Sequence, residues 1–521
     1  MLLPNYLGGR WQQGTGPGTP LYDPVRGTEL VRVDRTGLDI AAGFAHVRQH
    51  AGPVLRALTY RERAERLGRI VKVLQAQREA YYEIALANSG TTRADSAVDI
   101  EGAIYTLGQY ARWGETLSDA RFLIDGETAR LAKDGSFQSQ HVHVPTPGLA
   151  LFINAFNFPA WGLWEKAAPA LLAGVPVVVK PATATAWLTQ RMVADVIESG
   201  VLPEGALSVV CGSSAGLLDA LEPFDVLSFT GSAETAARVR SHAAVAERSV
   251  RVNIEADSLN AALLLPGAGP GTAAFDLLVD QVVREMTVKS GQKCTAIRRV
   301  LVPAEVHEAV GEAVSAKLGA VVVGDPREAS VTMGSLVSRE QLDHVRQGLA
   351  ALSREARIVH DGAAQPLVGV DPDVAACIGP TLLTARDAVT SDLVHRLEVF
   401  GPVATLVPYQ GLAEAEALAR RGEGSLVVSL YGDDPAALAS AALTLADSHG
   451  RVHVVSPEVA ASHTGHGNVV PASQHGGPGR AGGGEELGGL RALRFYHRRS
   501  AIQASAAVLG VLAGGVAAPA L

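Results

Sequence analysis

Between Leu149 and Ala246 the chain alternates short, almost wholly apolar runs with longer stretches in which apolar positions recur every three to four residues. The first pattern belongs to strands buried on both faces and the second to helices with one apolar stripe. Together they predict strands over 149–154, 176–180, 206–211 and 225–230, and helices over 161–173, 186–199, 213–221 and 233–246. Such repetition makes a parallel sheet covered by helices, with ligands at the carboxyl ends of its strands. Upstream, 38–113 has helical spacing, as in Ile70, Val71, Leu74 and Ile84, Leu86. From Ser118 to Val144 the chain turns to short alternating segments, among them 138–144, which predict exposed antiparallel strands and an arm able to pair with another subunit. A second α/β region covers 257–463, and a glycine-rich loop, 474–484, precedes Arg494-Phe495-Tyr496. No internal repeat of fixed period is present.

Composition narrows the class. A chain of 521 residues exceeds one ordinary core, and its length suggests about three structural units. Apolar residues make up 47% and the 55 glycines are dispersed through turns, as in a globular enzyme rather than a disordered or collagen-like chain. Lys plus Arg number 45 against 53 Asp plus Glu, so no general attraction toward nucleic acid exists. Three cysteines give no disulfide framework and suit a reducing compartment, the cytoplasm by default. The N-terminus lacks a basic segment followed by an apolar one, the pattern of a secretory signal. The apolar run 501–521 is mostly Ala and Gly, and is read as a packed or frayed tail rather than a membrane anchor.

Candidate chemistry centres on Cys294, in Lys289-Ser290-Gly291-Gln292-Lys293-Cys294-Thr295. A small, polar, glycine-bearing surrounding favours access, whereas Cys211 and Cys377 adjoin apolar runs and read as core. A useful nucleophile needs a base or dipoles nearby, because an ordinary thiol is mostly protonated at neutral pH. Four motifs at strand ends supply candidates. Asn157, in Asn154-Ala155-Phe156-Asn157-Phe158-Pro159, is either a turn former or an oxyanion donor. Lys180 ends an apolar strand, where its charge must leave the sheet, and suits phosphate binding. Thr230-Gly231-Ser232 is either a plain helix cap or an anion site, and no Gly-x-Gly-x-x-Gly stands at this turn. Glu255, in Val252-Asn253-Ile254-Glu255, is either solvated or a water-activating base.

With Glu398-Val399-Phe400-Gly401-Pro402-Val403, these motifs resemble the aldehyde dehydrogenase superfamily in order and spacing over nearly the whole chain. The resemblance implies an α/β subunit with a variant Rossmann cofactor domain, an α/β catalytic domain and a small β oligomerisation domain. The expected boundaries are 1–117 and 145–256 for dinucleotide binding, 257–463 for catalysis, and 118–144 with 480–521 for the oligomerisation arm and C-terminal strand. It implies Cys294 as nucleophile, Asn157 with the Cys294 backbone amide as oxyanion hole, and Glu255 as the base that activates water. Glu398 and Phe400 are implied at the nicotinamide ribose and ring, and Lys180, Thr183, Thr230, Gly231 and Ser232 at the adenosine ribose and pyrophosphate. Many NAD-preferring relatives carry a glutamate where this chain has Thr183. Loss of that carboxylate removes repulsion toward a 2′-phosphate, so NADP is the expected cofactor, with NAD usable.

The segment 465–487 resembles the branch of the superfamily that serves aerobic aromatic degradation, benzoate included, through CoA thioesters, and implies a CoA-linked semialdehyde substrate such as 3,4-dehydroadipyl-CoA semialdehyde. Some members carry a fused hydratase domain, for which this chain has no room. A homodimer or dimer-based oligomer is implied, with neither nucleic acid nor membrane as partner. A CoA-acylating dehydrogenase is the competing enzyme class, but such enzymes typically lack the glutamate that Glu255 matches; a non-catalytic nucleotide-binding protein of the same fold has no reason to keep Cys294 and Glu255. No metal is expected: His463 and His466 lack a completing Cys or acidic pair. The pairs Arg298-Arg299 and Arg498-Arg499 are expected at a solvated or salt-bridged surface, with a CoA phosphate as the alternative.

Overall fold

A computed structural model of the chain, described over residues 1–514, is built on two seven-stranded sheets and a smaller third one. In the first sheet the strands run Arg251–Glu255, Val226–Thr230, Ala150–Ile153, Val177–Lys180, Leu207–Val209, Asn5–Leu7 and Arg10–Gln12. The first five are parallel and the last two, from the N-terminus, antiparallel. The apolar runs become these strands because both faces are covered: every residue of Ala150–Ile153 and Val177–Lys180 is buried. Helix Trp161–Ala173, buried along its whole length, lies on one face with Tyr60–Ser89 and Arg93–Thr116 packed beyond it. The second sheet runs Ala356–His360, Thr381–Ala385, Val403–Tyr409, Arg299–Pro303, Ala261–Leu264, Ser425–Tyr431 and His449–Val455, all parallel except the first strand.

Register does the positioning in the first sheet. Thr230 pairs with Glu255, Phe229 with Ile153, and Ile153 with Lys180. The carboxyl edge therefore presents Glu255, Thr230, the segment starting at Asn154, and Lys180 in a row. The strand order reverses between Ala150–Ile153 and Val226–Thr230, so Asn154 and Thr230 flank the switch point, where a crevice opens outside the sheet.

The third sheet joins the hairpin Leu123–Arg130 and Phe137–Pro145 to His497–Ser505, all antiparallel. The expected alternating strands of 118–144 are this hairpin. The tail continues as helix Ala506–Gly514, and residues 515–521 of the expected tail lie outside the described residues. No described helix is long and apolar enough to cross a membrane.

Two expected helices are corrected. Residues 213–221 form turns, because Gly216 takes φ +76° and Arg35 binds the carbonyls of Ser213 and Ala215, which a helix would use internally. The helix expected over 233–246 breaks into Ala233–Ser241 and Ala243–Ala246. His242 between them is extended, and its ring Nδ1 accepts from the Ala244 amide, a local cap that stops one helix and starts the next.

Candidate active site

The segment that carries Cys294 is held in an unusual conformation. After helix Ala273–Thr287, the residues Lys289, Ser290 and Gly291 have φ of 53°, 54° and 67°. Side chains rarely adopt this region. At Gly291 a Cβ would stand 2.3 Å from the carbonyl oxygen of Gly401, so the close approach also demands glycine. The turn persists because it is tied down: Ser290 Oγ donates to the carbonyls of Gly334 and Ser335, and Arg298 donates to those of Gly291, Lys293 and Gly401. Asn260 Nδ2 donates to the Cys294 carbonyl at 2.7 Å, and Lys293 forms a buried ion pair with Glu285 at 2.8 Å.

Arg298 and Arg299 therefore do not lie on the surface as expected. Both are buried, and Arg299 spends its donors on the carbonyls of Leu259, Leu418 and Ala419. A guanidinium can enter a core when carbonyl oxygens satisfy its fork of donors.

Asn157 is braced from three sides. Thr185 Oγ1 donates to the Phe156 carbonyl, Thr189 Oγ1 donates to that of Pro159, and the buried Asp99 carboxylate accepts from the Ala160 and Trp161 amides. Asp99 supplies the cap of helix Trp161–Ala173 that Ala160 lacks. Asn157, Glu255, Cys294 and Thr230 border one cavity of about 20 Å³, room for about one water molecule. Cys294 also borders a larger pocket of about 240 Å³, walled by Ala97, Val98, Phe158, Trp161, Arg284 and the Gly467–Val469 segment. The three catalytic candidates thus meet, and an entry path reaches the sulfur.

The glycine-rich loop brings a further group. Its strands Gln474–Gly477 and Gly484–Leu487 pair, and the turn at Gly482 (φ +111°) lies where a Cβ would be 2.2 Å from the Ile254 carbonyl. This approach sets His475 Nε2 3.0 Å from Glu255 Oε2, with the ring edge-on to Trp161. Behind them Lys166 Nζ lies 2.5 Å from Glu165 and 3.5 Å from Glu486, whose other oxygen accepts from Ser228 and Asn253.

The electrostatics follow from this packing. Burial pushes Glu255 upward, but His475 first and then Lys166 outweigh it and hold the carboxyl down to about 2. Burial and the neighbouring Glu255 push the Cys294 thiol well above its ordinary value. The resting sulfur is a thiol beside an ionised carboxylate, so attack requires transfer of its proton.

At the other candidate positions the polar groups stand open. Glu398 accepts from the Ser258 amide through Oε2, while its buried Oε1 has no hydrogen-bond partner; burial drives this carboxyl up to about 7 against the pull of Arg298. Phe400 packs edge-on to Phe156 and under Arg298. Lys180 is buried and, among the described residues, has no carboxylate within ion-pair distance; burial lowers its affinity for the proton. Thr230 Oγ1 is buried without a partner. Thr183 Oγ1 makes a long contact of 3.4 Å with the Gly212 carbonyl. Ser232 is the N-cap of Ala233–Ser241, its oxygen accepting from the Thr235 amide, while Asp257 takes the Ala233 amide. The plain-cap alternative accounts for Ser232, and Gly231 lies against the Phe229 ring.

The family model for the aldehyde dehydrogenase family matches residues 11–502. The chain belongs to this family. It is 54% identical to 3,4-dehydroadipyl-CoA semialdehyde dehydrogenase of Aromatoleum evansii over 92% of this chain and 93% of that one. Among solved structures, succinate-semialdehyde dehydrogenase from Burkholderia pseudomallei superposes with a TM-score of 0.82 at 25% identity, covering 96% of this chain and 98% of that one. An NAD+ complex of aldehyde dehydrogenase from Bacillus cereus superposes with a TM-score of 0.83 at 21% identity, covering 97% of both chains. The aldehyde dehydrogenase fold expected from the motifs is therefore the fold observed.

His475, Asp99, Asn260 and Arg298 escaped the sequence reading as site residues. For His475 a signal existed, since a run of glycines flanking one aromatic-sized polar residue marks backbone pressed against another element. Arg298 was noticed only as half of a charged pair.

Proposed function

We propose that this aldehyde dehydrogenase oxidises a CoA-linked semialdehyde to the free acid, with NADP preferred over NAD. The observation that carries the reading is the convergence of Cys294, Glu255 and Asn157 on one small cavity at the foot of an open pocket. Identity to the Aromatoleum evansii dehydrogenase supports 3,4-dehydroadipyl-CoA semialdehyde as substrate.

The residues suit a dinucleotide. The Thr230 hydroxyl, which has no hydrogen-bond partner, the Glu398 Oε1, which meets only Arg298 Nε at 3.5 Å, and Lys180, which has no carboxylate within ion-pair distance among the described residues, would stand along the edge where a nucleotide lies. Glu398 would hold the nicotinamide ribose, Phe400 would flank the ring, and Lys180 and Thr183 would receive the adenosine ribose. Arg35, close enough to Lys180 to lower its proton affinity, adds a second cation suited to a 2′-phosphate. The Thr230–Ser232 turn would approach the pyrophosphate. When bound, the oxidised nicotinamide supplies a hydride acceptor and one positive charge.

The chain's own residues do the remaining work. Glu255 accepts the Cys294 proton as the sulfur adds to the aldehyde carbon. The carbonyl oxygen, now negative, takes hydrogen bonds from Asn157 Nδ2 and the Cys294 amide. Once the carbon stands at the thioester level, Glu255, having passed the Cys294 proton to solvent, takes a proton from water as it attacks that carbon, and returns that proton to the departing sulfur as the acid is released. The two-sided wall of Asn157 and Glu255 keeps the carbonyl between donor and base. We assign 1–117 with 145–256 to nucleotide binding and 257–463 to catalysis. Residues 118–144 with the C-terminal strand would pair two subunits.

Turnover of CoA-linked semialdehydes and simple aldehydes, measured with NADP and NAD and with free CoA added, tests the reading. The expected product is the free acid at a rate indifferent to free CoA, with NADP favoured. Acceleration by CoA, with a new acyl-CoA as product, overturns hydrolysis.

A further inference from the structure

We propose that Cys294 Sγ, His475 Nε2 and the Glu255 carboxylate also form a binding site for a single zinc ion, which blocks the enzyme reversibly. These three donor atoms lie within 4.8 Å of one another. Zinc bonds of about 2.0–2.3 Å in tetrahedral geometry place donors about 3.5 Å apart. His475 Nε2 and Glu255 Oε2 are already 3.0 Å apart, so the site needs a modest separation of that pair and an approach by the sulfur.

A second observation points to a ligand. Glu255 and His475 are each 3% exposed, and while His475 Nε2 faces Glu255 Oε2, the other carboxylate oxygen, Oε1, has no hydrogen-bond partner. Buried polar atoms left this way favour any group that satisfies them. The adjoining cavity of about 20 Å³ provides a fourth position for water, and the pocket of about 240 Å³ provides the route in. On binding, the Cys294 thiol and the His475 imidazolium each give a proton to solvent as the sulfur–zinc and nitrogen–zinc bonds form, and thiolate plus carboxylate balance the ion's two charges.

A neighbouring trio, Glu165, His475 and Glu486, is equally compact. It is disfavoured because the Lys166 ammonium already sits 2.5 Å from Glu165 and 3.5 Å from Glu486, and Ser228 and Asn253 occupy the other Glu486 oxygen. The zinc site stands whatever aldehyde the enzyme uses; its inhibitory effect rests on the nucleophile role of Cys294.

The test is titration of the whole, nucleotide-free protein with zinc chloride by calorimetry, and with cobalt(II) chloride by absorption. One ion per subunit is expected, with a sulfur-to-cobalt charge-transfer band in the near ultraviolet. Binding should vanish in Cys294→Ser, weaken at least about tenfold in His475→Phe, and persist in Glu486→Gln. Zinc should stop aldehyde oxidation, and a chelator should restore it. A cobalt spectrum of the unaltered protein lacking the sulfur band overturns the site without recourse to any variant, as does undiminished zinc binding in Cys294→Ser or loss confined to Glu486→Gln. A sulfur-bound ion with undisturbed turnover leaves the site and overturns the inhibition, and with it the nucleophile assignment.

Discussion

Around Glu255 the buried ionisable groups are matched to one another: His475 to Glu255, Lys166 to Glu165 and Glu486, and Lys293 to Glu285. Along the edge from Lys180 to Glu398 the pairing is sparser: Lys180 has no carboxylate within ion-pair distance among the described residues, Thr230 Oγ1 has no hydrogen-bond partner, and Glu398 Oε1 meets only Arg298 Nε, at 3.5 Å. In the first region His475 and Lys166 hold the Glu255 carboxylate ionised with no ligand bound, as the proposed base role requires. The second keeps hydrogen-bonding capacity in reserve, at a cost in stability that a nucleotide would relieve. On the proposed mechanism, the groups that act on every substrate are pre-organised, and the surface that would release a nucleotide each cycle is left less complete.

The largest expected effect lies in the matched region. Cys294→Ala should lower kcat by roughly 10⁴- to 10⁶-fold while leaving nucleotide affinity unchanged; a steady-state assay beside nucleotide titration checks both halves. Asn157→Ala should cost roughly 10²- to 10³-fold in kcat, with little change in KM, because its amide acts on charge that develops only during reaction.

Smaller effects probe the incomplete edge. Thr183→Glu should lower kcat/KM with NADP by about tenfold or more and spare NAD, as measured by paired assays. For Glu398, the folded carboxyl titrates near 7 against an ordinary value of 4.5. A raised acid penalises the folded state fully above the higher value, and the penalty fades as pH falls through 7 toward 4.5. Glu398→Gln should therefore raise the melting temperature of the nucleotide-free protein by about 2–4 °C at pH 8, and the gain should disappear near pH 4.5. An equal gain at both pH values would remove the idea that this region stores unfavourable polarity.

How much of this was written in the chain differs between the same two regions. Asn157, Lys180, Thr230 and Glu255 each follow a short apolar run, so strand ends and the residues beyond them could be read directly, and parallel pairing then aligned them. The matched network could not be read that way. His475 and Glu486 reach Glu255 and Asn253 from a distant short hairpin of paired, glycine-rich strands, and no periodicity reports where such a hairpin docks. Arg298 and Arg299 looked like surface because buried charge is rare, and only the carbonyls of several separate segments make their burial tolerable. The turn at 213–221 failed for a related reason: the spacing was helical, but Arg35, far away in sequence, claims the carbonyls.

The claim on which the account depends is that one carboxylate, kept ionised by His475 and Lys166, drives thioester hydrolysis after Cys294 has reacted. Mixing Glu255→Gln with aldehyde and NADP under single-turnover conditions, with mass spectrometry of the quenched protein, measures this directly. The account predicts reduced nucleotide formed once per site, then a stall with the acyl group retained on Cys294. Continued turnover at the unaltered rate, with no acylated Cys294, would contradict it.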